Sequence, residues 1–123
     1  MRNRDEMVLQ TLIGITDEVA TSLKRFQCDT FTKFMADPVL KRATTMCLIS
    51  LSESVDLLTT EFRRKNDYIN FKIFKALRNI AAHKYGSINF EMVWEIIAKS
   101  LPKYRIEFQR LLEKHIRESS NKQ

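Results

Sequence analysis

The chain has 123 residues, enough for one domain with a buried core, and its two Gly and two Pro leave little material for the turns of an all-β fold. No apolar run approaches the ~20 residues of a membrane span, and no cleavable leader is recognisable, so we expect an intracellular, cytoplasmic protein. Residues 63–85 hold seven basic residues and one acid, which accounts for the whole net charge of +6. This field favours nucleic acid, with an acidic partner protein or a merely solvated face as the alternatives.

The first half of the chain is predicted to form two long helices. Apolar residues at spacings of three and four indicate an amphipathic helix over about 7–26, followed by a connection over 27–36. Asp37 before Pro38 is a helix start, and we expect this second helix to reach about Arg63. It is apolar nearly all round, which is typical of a central helix or one covered by a second subunit. Within it, Glu53 either has a cationic partner, with Arg78 as the candidate, or lies on the one exposed edge.

A third helix is predicted from about Asn70 to His83, after a basic loop over 63–68 that includes Arg63 and Arg64. At ~100° per residue its apolar side chains share one face: Ile73, Phe74, Leu77, Ile80 and Ala81. The opposite face carries polar and small side chains: Lys72, Lys75, Asn79 and His83 in one stripe, Arg78 and Tyr85 beside it, and Ala76 and Ala82 between them. The small residues would let another backbone approach closely. Gly86 is suited to end the helix.

The last part of the chain is predicted to contain one interrupted helix. Asn89 is its expected cap, Pro102 should kink or break it after Ser100, and residues 117–123 should form a frayed tail. We therefore predict a single all-α domain over 1–123, an up-and-down bundle of four helices, or five with the break. Cys28 and Cys47 are too far apart for a Cys-x-x-Cys motif, so we expect them to be free thiols in the core. His83 and His115 are also far apart in the sequence, so we expect no metal site and no cofactor.

The polar face of the third helix has the residue types that RNA cleavage without a metal needs. A His can act as acid or base near neutral pH, and the planar fork of an Arg can bind a phosphate through two parallel hydrogen bonds. Asn79 could orient the His83 ring or the phosphate. One copy offers a single strong acid/base group, so this hypothesis predicts a homodimer that pairs two such faces. The simpler alternative is that His83 only caps the helix.

At these residues the sequence resembles a known family. The segment from Arg78 and Asn79 through His83 to Lys84 and Tyr85 is similar to the Arg-x-x-x-x-His-x-Tyr signature of the HepT-like HEPN toxins. The segment around Glu53, and Trp94 with Leu101 and Pro102, also resemble that family, so the likeness covers about 7–112. In this chain Asn70-Phe71 and Ser52 replace the family's usual Pro-Trp and Gly, and both changes concern packing.

The resemblance implies a function and site residues. It implies a homodimeric, metal-independent endoribonuclease toxin, cleaving tRNA or mRNA, in a type VII-like pair with an MntA-type nucleotidyltransferase antitoxin. Arg78 and His83 would be catalytic with Asn79 beside them, and Tyr85 would accept AMP from the antitoxin. We expect Lys72, Lys75, Lys84, Arg63 and Arg64 to bind RNA, and Glu53 to have a supporting role. Two other hypotheses stay open: a non-catalytic helical module that binds a nucleotidyltransferase, and a bundle that binds RNA without cutting it.

Overall fold

The structure is a computed structural model that describes residues 3–82 and 87–121, with side-chain surroundings for all of these except Ala81 and Ala82. Its α-helices are α1 (Arg4–Arg25), α2 (Phe31–Ala36), α3 (Pro38–Val55), α4 (Thr60–Lys65), α5 (Lys72–Ala82), α6 (Phe90–Glu95) and α7 (Leu101–Asn121). A π-helical segment, Ile96–Ser100, joins α6 to α7. Within the described ranges the chain forms no strand, and the predicted all-α bundle is confirmed.

The three long helices pack side by side, with α1 between α3 and α7. Arg105 on α7 pairs with Asp17 on α1, whereas His115 near the other end of α7 contacts Asn3, so α1 and α7 are antiparallel. Near one end of α1, Arg4 Nε donates to the Leu57 carbonyl that follows α3. Helix α5 packs against α3.

The predicted apolar stripes form one continuous core. Each of the main helices contributes at least one side chain that is almost fully buried: Leu9, Leu12 and Val19 from α1, Leu48 and Leu51 from α3, Leu77 from α5, and Phe108 and Leu111 from α7. Burying an aliphatic side chain of this size is worth about 1.5–3 kcal/mol. This core fixes the rotation of α5, so its polar residues must face outward.

The expected connection over 27–36 and the expected helix to Arg63 were both wrong in part. Thr30 accepts a hydrogen bond from the Lys33 amide and so caps α2 within the connection. The Thr59 hydroxyl caps α4 in the same way and itself donates to Asp5, a buried carboxylate at the start of α1. Because this cap starts a new helix, α3 ends at Val55, and Arg63 and Arg64 lie in α4 instead of a loop.

Pro102 does not break the last helix. A proline has no amide hydrogen, and its ring clashes with the carbonyl four residues earlier. The chain widens into the π-helical segment just before it, and the Leu101 amide donates to the Ile96 carbonyl. The helix axis therefore continues from Asn89, which caps α6 as predicted, through to Asn121. Residues 118–121 are helical and exposed, and fraying of the tail stays a prediction.

Both thiols are free, with Cys28 buried and Cys47 half-buried. Burial raises the pKa of each thiol, and the nearby Glu18 carboxylate raises the pKa of Cys47 further.

None of the helices formed by the described residues is long and apolar enough to cross a membrane.

Candidate active site

Helix α5 has the two faces that its sequence predicts. Phe74, Leu77 and Ile80 are buried in the core, and Ile73 is half-buried against it. The opposite face is exposed along its described length: Lys72, Lys75, Ala76, Arg78 and Asn79. The structure thus brings four of the predicted site residues, Lys72, Lys75, Arg78 and Asn79, to one solvent-facing surface.

Arg78 is held by a carboxylate from the neighbouring helix α3. Its Nη1 donates to Oδ2 of Asp56 at 3.0 Å, and the two side chains are 46% and 38% exposed. A pair this exposed stabilises the fold by about 0–1 kcal/mol at most. Its main effect is on geometry: one corner of the guanidinium is fixed, and none of the other described residues forms an ion pair with this fork, whose planar shape suits a phosphate.

Arg63 contacts the backbone of the same residue. Its Nη2 donates to the backbone carbonyls of Asp56 at 3.5 Å and Leu58 at 3.2 Å. These carbonyls follow the end of α3, where helix carbonyls lack partners within the helix. Arg63 is half-buried, and its Nη2 is the atom used by this backbone. Its binding of RNA stays a prediction.

Glu53 lies on the exposed edge of α3, which is the second of its two predicted positions. The carboxylate that pairs with Arg78 is that of Asp56, three residues further on. The sequence did not reveal Asp56 because we expected α3 to continue past it. Asp56 lies 22 residues before Arg78, so the two do not share a helix and no helical spacing relates them. Only the packing of α3 against α5 brings them together.

The remaining basic residues of the segment differ in their surroundings. Lys72 and Lys75 lie on the exposed face of α5, and Arg64 is exposed on α4. Lys65, on the same short helix, pairs with Glu61 at 3.6 Å. The predicted residues His83, Lys84 and Tyr85, with Gly86, lie outside the described residues.

His115 has a defined structural role. The amide of Asn3 accepts from the Glu6 backbone through Oδ1, so its Nδ2 is the atom that donates to His115 Nε2 at 2.6 Å. This bond requires the ring proton on Nδ1. The ring also packs edge-on against Phe62, with 6.1 Å between centroids. The contact with Asn3 could not be predicted from the sequence because it joins opposite ends of the chain.

The parts of the chain that the structure describes contain no group of three His, Cys, Asp or Glu side chains placed to hold a metal ion. The described part of the α5 face offers an anchored guanidinium, two ammonium groups and an amide. Together they form a positive surface that suits phosphate groups. The described residues of α5 include no histidine.

A family model described as Ribonuclease HepT-like matches residues 16–111. The chain is 31% identical to "Putative RNase TTE0752" of Caldanaerobacter subterraneus subsp. tengcongensis, over 81% of this chain and 89% of that protein. It is 24% identical to "Putative RNase MJ1216" of Methanocaldococcus jannaschii, over 91% of each. It is also 32% identical to "Gamma-glutamylcyclotransferase and putative RNase MJ0434" of the same organism, over 76% of this chain but only 40% of that protein. No solved structure matches the chain.

Proposed function

The chain belongs to the HepT-like ribonuclease family, and we propose that it is a metal-independent endoribonuclease whose catalytic residues are Arg78 and His83. The observation that carries this proposal is the geometry of Arg78. It is exposed on the positive face of α5, anchored by Asp56, and five residues before His83 in the chain. A phosphate-binding Arg held in this way needs only a neighbouring acid/base group to promote transfer at phosphorus.

Each residue has one job in the proposed reaction. His83 removes the proton from the 2′-hydroxyl of the RNA, and that oxygen attacks the adjacent phosphorus. The bond from phosphorus to the 5′-oxygen breaks, and a second histidine, or water, protonates the leaving oxygen. Arg78 donates to the phosphoryl oxygens as charge builds on them, and Asn79 orients His83 or the phosphate. The products are a 2′,3′-cyclic phosphate and a 5′-hydroxyl.

We infer that a homodimer supplies the second histidine. Helix α3 exposes apolar side chains at positions that share a face, Val39 and Met46, and Leu57 lies exposed just after it. Leu57 follows Asp56 in the sequence, so this apolar surface borders the ion pair between Asp56 and Arg78. A two-fold axis near it would place two Arg78 and two His83 in one cleft. Large exposed apolar side chains in such a row are typical of a protein interface.

The biological setting follows the family. We propose a cytoplasmic toxin of a type VII-like pair, cleaving tRNA or mRNA and silenced when an MntA-type nucleotidyltransferase antitoxin transfers AMP to Tyr85. The added phosphate would place negative charge near Arg78 and compete with the phosphate of RNA. Lys72, Lys75, Lys84 and Arg64 would bind the RNA backbone, and Arg63 and Glu53 would support the site from α4 and α3.

The test is RNA cleavage by the purified dimer in EDTA, with analysis of the ends. We expect cyclic phosphate ends from the wild type and a loss of about 10²–10⁴-fold in His83→Ala. The matched control is His115→Ala, the chain's other histidine, which should cleave normally. Mass spectrometry must first show that Tyr85 is unmodified. An unmodified dimeric wild type that cuts neither tRNA nor mRNA would instead support the non-catalytic module that binds a nucleotidyltransferase.

A further inference from the structure

The loop between α4 and α5 presents an exposed aromatic ring on a rigid support. Tyr68 is 64% exposed, whereas the next residue, Ile69, is buried in the core. The loop is fastened at several points: the Ile69 amide donates to the Asn66 carbonyl, and the Tyr104 hydroxyl of α7 donates to the Asn70 carbonyl. Asn66 is itself buried and donates through Nδ2 to the Phe62 carbonyl. These hydrogen bonds hold the backbone of the loop on both sides of Tyr68.

A groove lies on each side of this loop. One, of about 610 Å³, is formed with α7 and includes Lys103 and Tyr104. The other, of about 420 Å³, includes Lys72, the first residue of α5. Tyr68, Ile69 and Asn70 line both grooves, so the Tyr68 segment is the ridge between them.

The charges around the ridge favour a polyanion. Lys72 and Lys103 are exposed, one in each groove, and neither ammonium group has a carboxylate within ion-pair distance among the described residues. Glu107, which also lines the larger groove, is neutralised by Arg110 at 3.0 Å. The smaller groove includes the Asp67 carboxylate, but Arg63 and Lys72 in its lining leave it a net positive charge. Unpaired cations on both sides of an exposed aromatic ring are the arrangement that binds single-stranded nucleic acid, since phosphates meet the cations and a base stacks on the ring.

The ridge is continuous with the α5 face. Lys72 belongs to both, and Arg78 lies six residues further along the helix, about 9 Å at 1.5 Å per residue. A strand whose phosphate sits at Arg78 reaches the loop within a few nucleotides. We propose that Tyr68 is a base-stacking residue of a single-stranded RNA subsite flanked by Lys72 and Lys103, which extends the substrate site of the proposed function.

Binding can be measured without cleavage by using an oligonucleotide that lacks the attacking hydroxyl. A fluorescein-labelled, single-stranded 2′-O-methyl RNA is titrated with the wild-type protein, and fluorescence anisotropy gives Kd. We expect Tyr68→Ala to raise Kd about tenfold, while Tyr68→Phe and Tyr68→Trp stay within about twofold of wild type, because stacking needs the ring and not the hydroxyl. The matched control is Phe26→Ala, another exposed aromatic residue, 53% exposed at the end of α1.

The charge is tested by Lys103→Gln against Lys24→Gln, an exposed lysine in the last turn of α1. Lys103→Gln should weaken binding and reduce the slope of log K against log salt by about 0.7, and Lys24→Gln should change neither. Equal affinity of wild type and Tyr68→Ala, or duplex RNA binding as tightly as the single strand, would overturn the inference. Since Tyr68 is exposed, its variants should keep the wild-type melting temperature.

The two proposals fail separately. A wild type that binds the oligonucleotide through Tyr68 but never cuts RNA would support this subsite and contradict the proposed nuclease. A wild type that cuts RNA, with Tyr68→Ala binding and cutting equally well, would leave the nuclease standing and remove the subsite.

Discussion

Arg78 on α5 donates to the carboxylate of Asp56, the C-cap residue that follows α3, over 3.0 Å. The pair joins two helices that pack against each other. It also gives a catalytic candidate a fixed corner without burying its charge. An arginine bound to solvent alone would lose more side-chain entropy when it binds a phosphate.

Removing this anchor should reduce activity without unfolding the protein. We expect Asp56→Asn to lower kcat for RNA cleavage about tenfold, because a small misplacement of a positioning contact is costly in the transition state. Asp56→Glu should recover part of the loss. The melting temperature should change little, since an ion pair this exposed contributes about 0–1 kcal/mol. An unchanged kcat in Asp56→Asn would show that the pair has no role in positioning.

Arg78 itself should not be replaceable by lysine. A lysine keeps the positive charge but cannot donate two parallel hydrogen bonds to a phosphate. We therefore expect Arg78→Lys to lose about 10²–10³-fold in kcat, comparable to the loss of one oxyanion donor, with a smaller change in KM. Arg25→Lys, at an exposed position in the last turn of α1, is the control and should cleave at the wild-type rate. Full activity in Arg78→Lys would mean that charge alone suffices.

The sequence was sufficient to predict which face of each helix is buried. It was not sufficient to predict which residues of different helices contact each other. Periodicity placed Phe74 and Leu77 inside and Arg78 outside, because burial along one helix depends only on the rotation per residue. Asp56 could not be found in this way. Its role depends on where α3 ends, and that end is set by Thr59 and Asp5, which belong to different helices. Tyr68 was hidden for the same reason, since α7, more than 30 residues further along the chain, forms one of the two grooves beside its loop.

Asp5 should be important for stability. Its two carboxylate oxygens accept from the Thr59 amide and hydroxyl, each at 2.8 Å, and the side chain is buried. Hydrogen bonds to a charged group contribute about 1.5–3 kcal/mol, so we expect Asp5→Ala to lower the free energy of unfolding by about 2–4 kcal/mol in urea titrations. Asp17→Ala, which removes an exposed pair with Arg105, should cost under about 1 kcal/mol. Similar losses in both variants would contradict this assignment.

The thiols should react slowly with alkylating reagents. The pKa of Cys47 is raised by burial and by the Glu18 carboxylate, and that of Cys28 is raised by burial. A raised pKa leaves less thiolate at a given pH, and the thiolate is the reactive form. We expect iodoacetamide labelling at pH 8 to be slower than for free cysteine, and Glu18→Gln to speed the labelling of Cys47. Labelling in urea, where both thiols are exposed, is the reference.

The exposed apolar row on α3 gives the sharpest test of the dimer. Met46 is 59% exposed on the same face as Val39, and a charge there would have to be buried at the proposed interface. We expect Met46→Glu to be monomeric by light scattering at micromolar concentration and to lose RNA cleavage, because one copy would then supply a single His83. Ile106→Glu is the matched control, since Ile106 is similarly exposed on α7, away from α3, and that variant should remain an active dimer. A monomeric Met46→Glu that still cuts RNA would show that one copy holds a complete site, and a dimeric Met46→Glu would place the interface elsewhere.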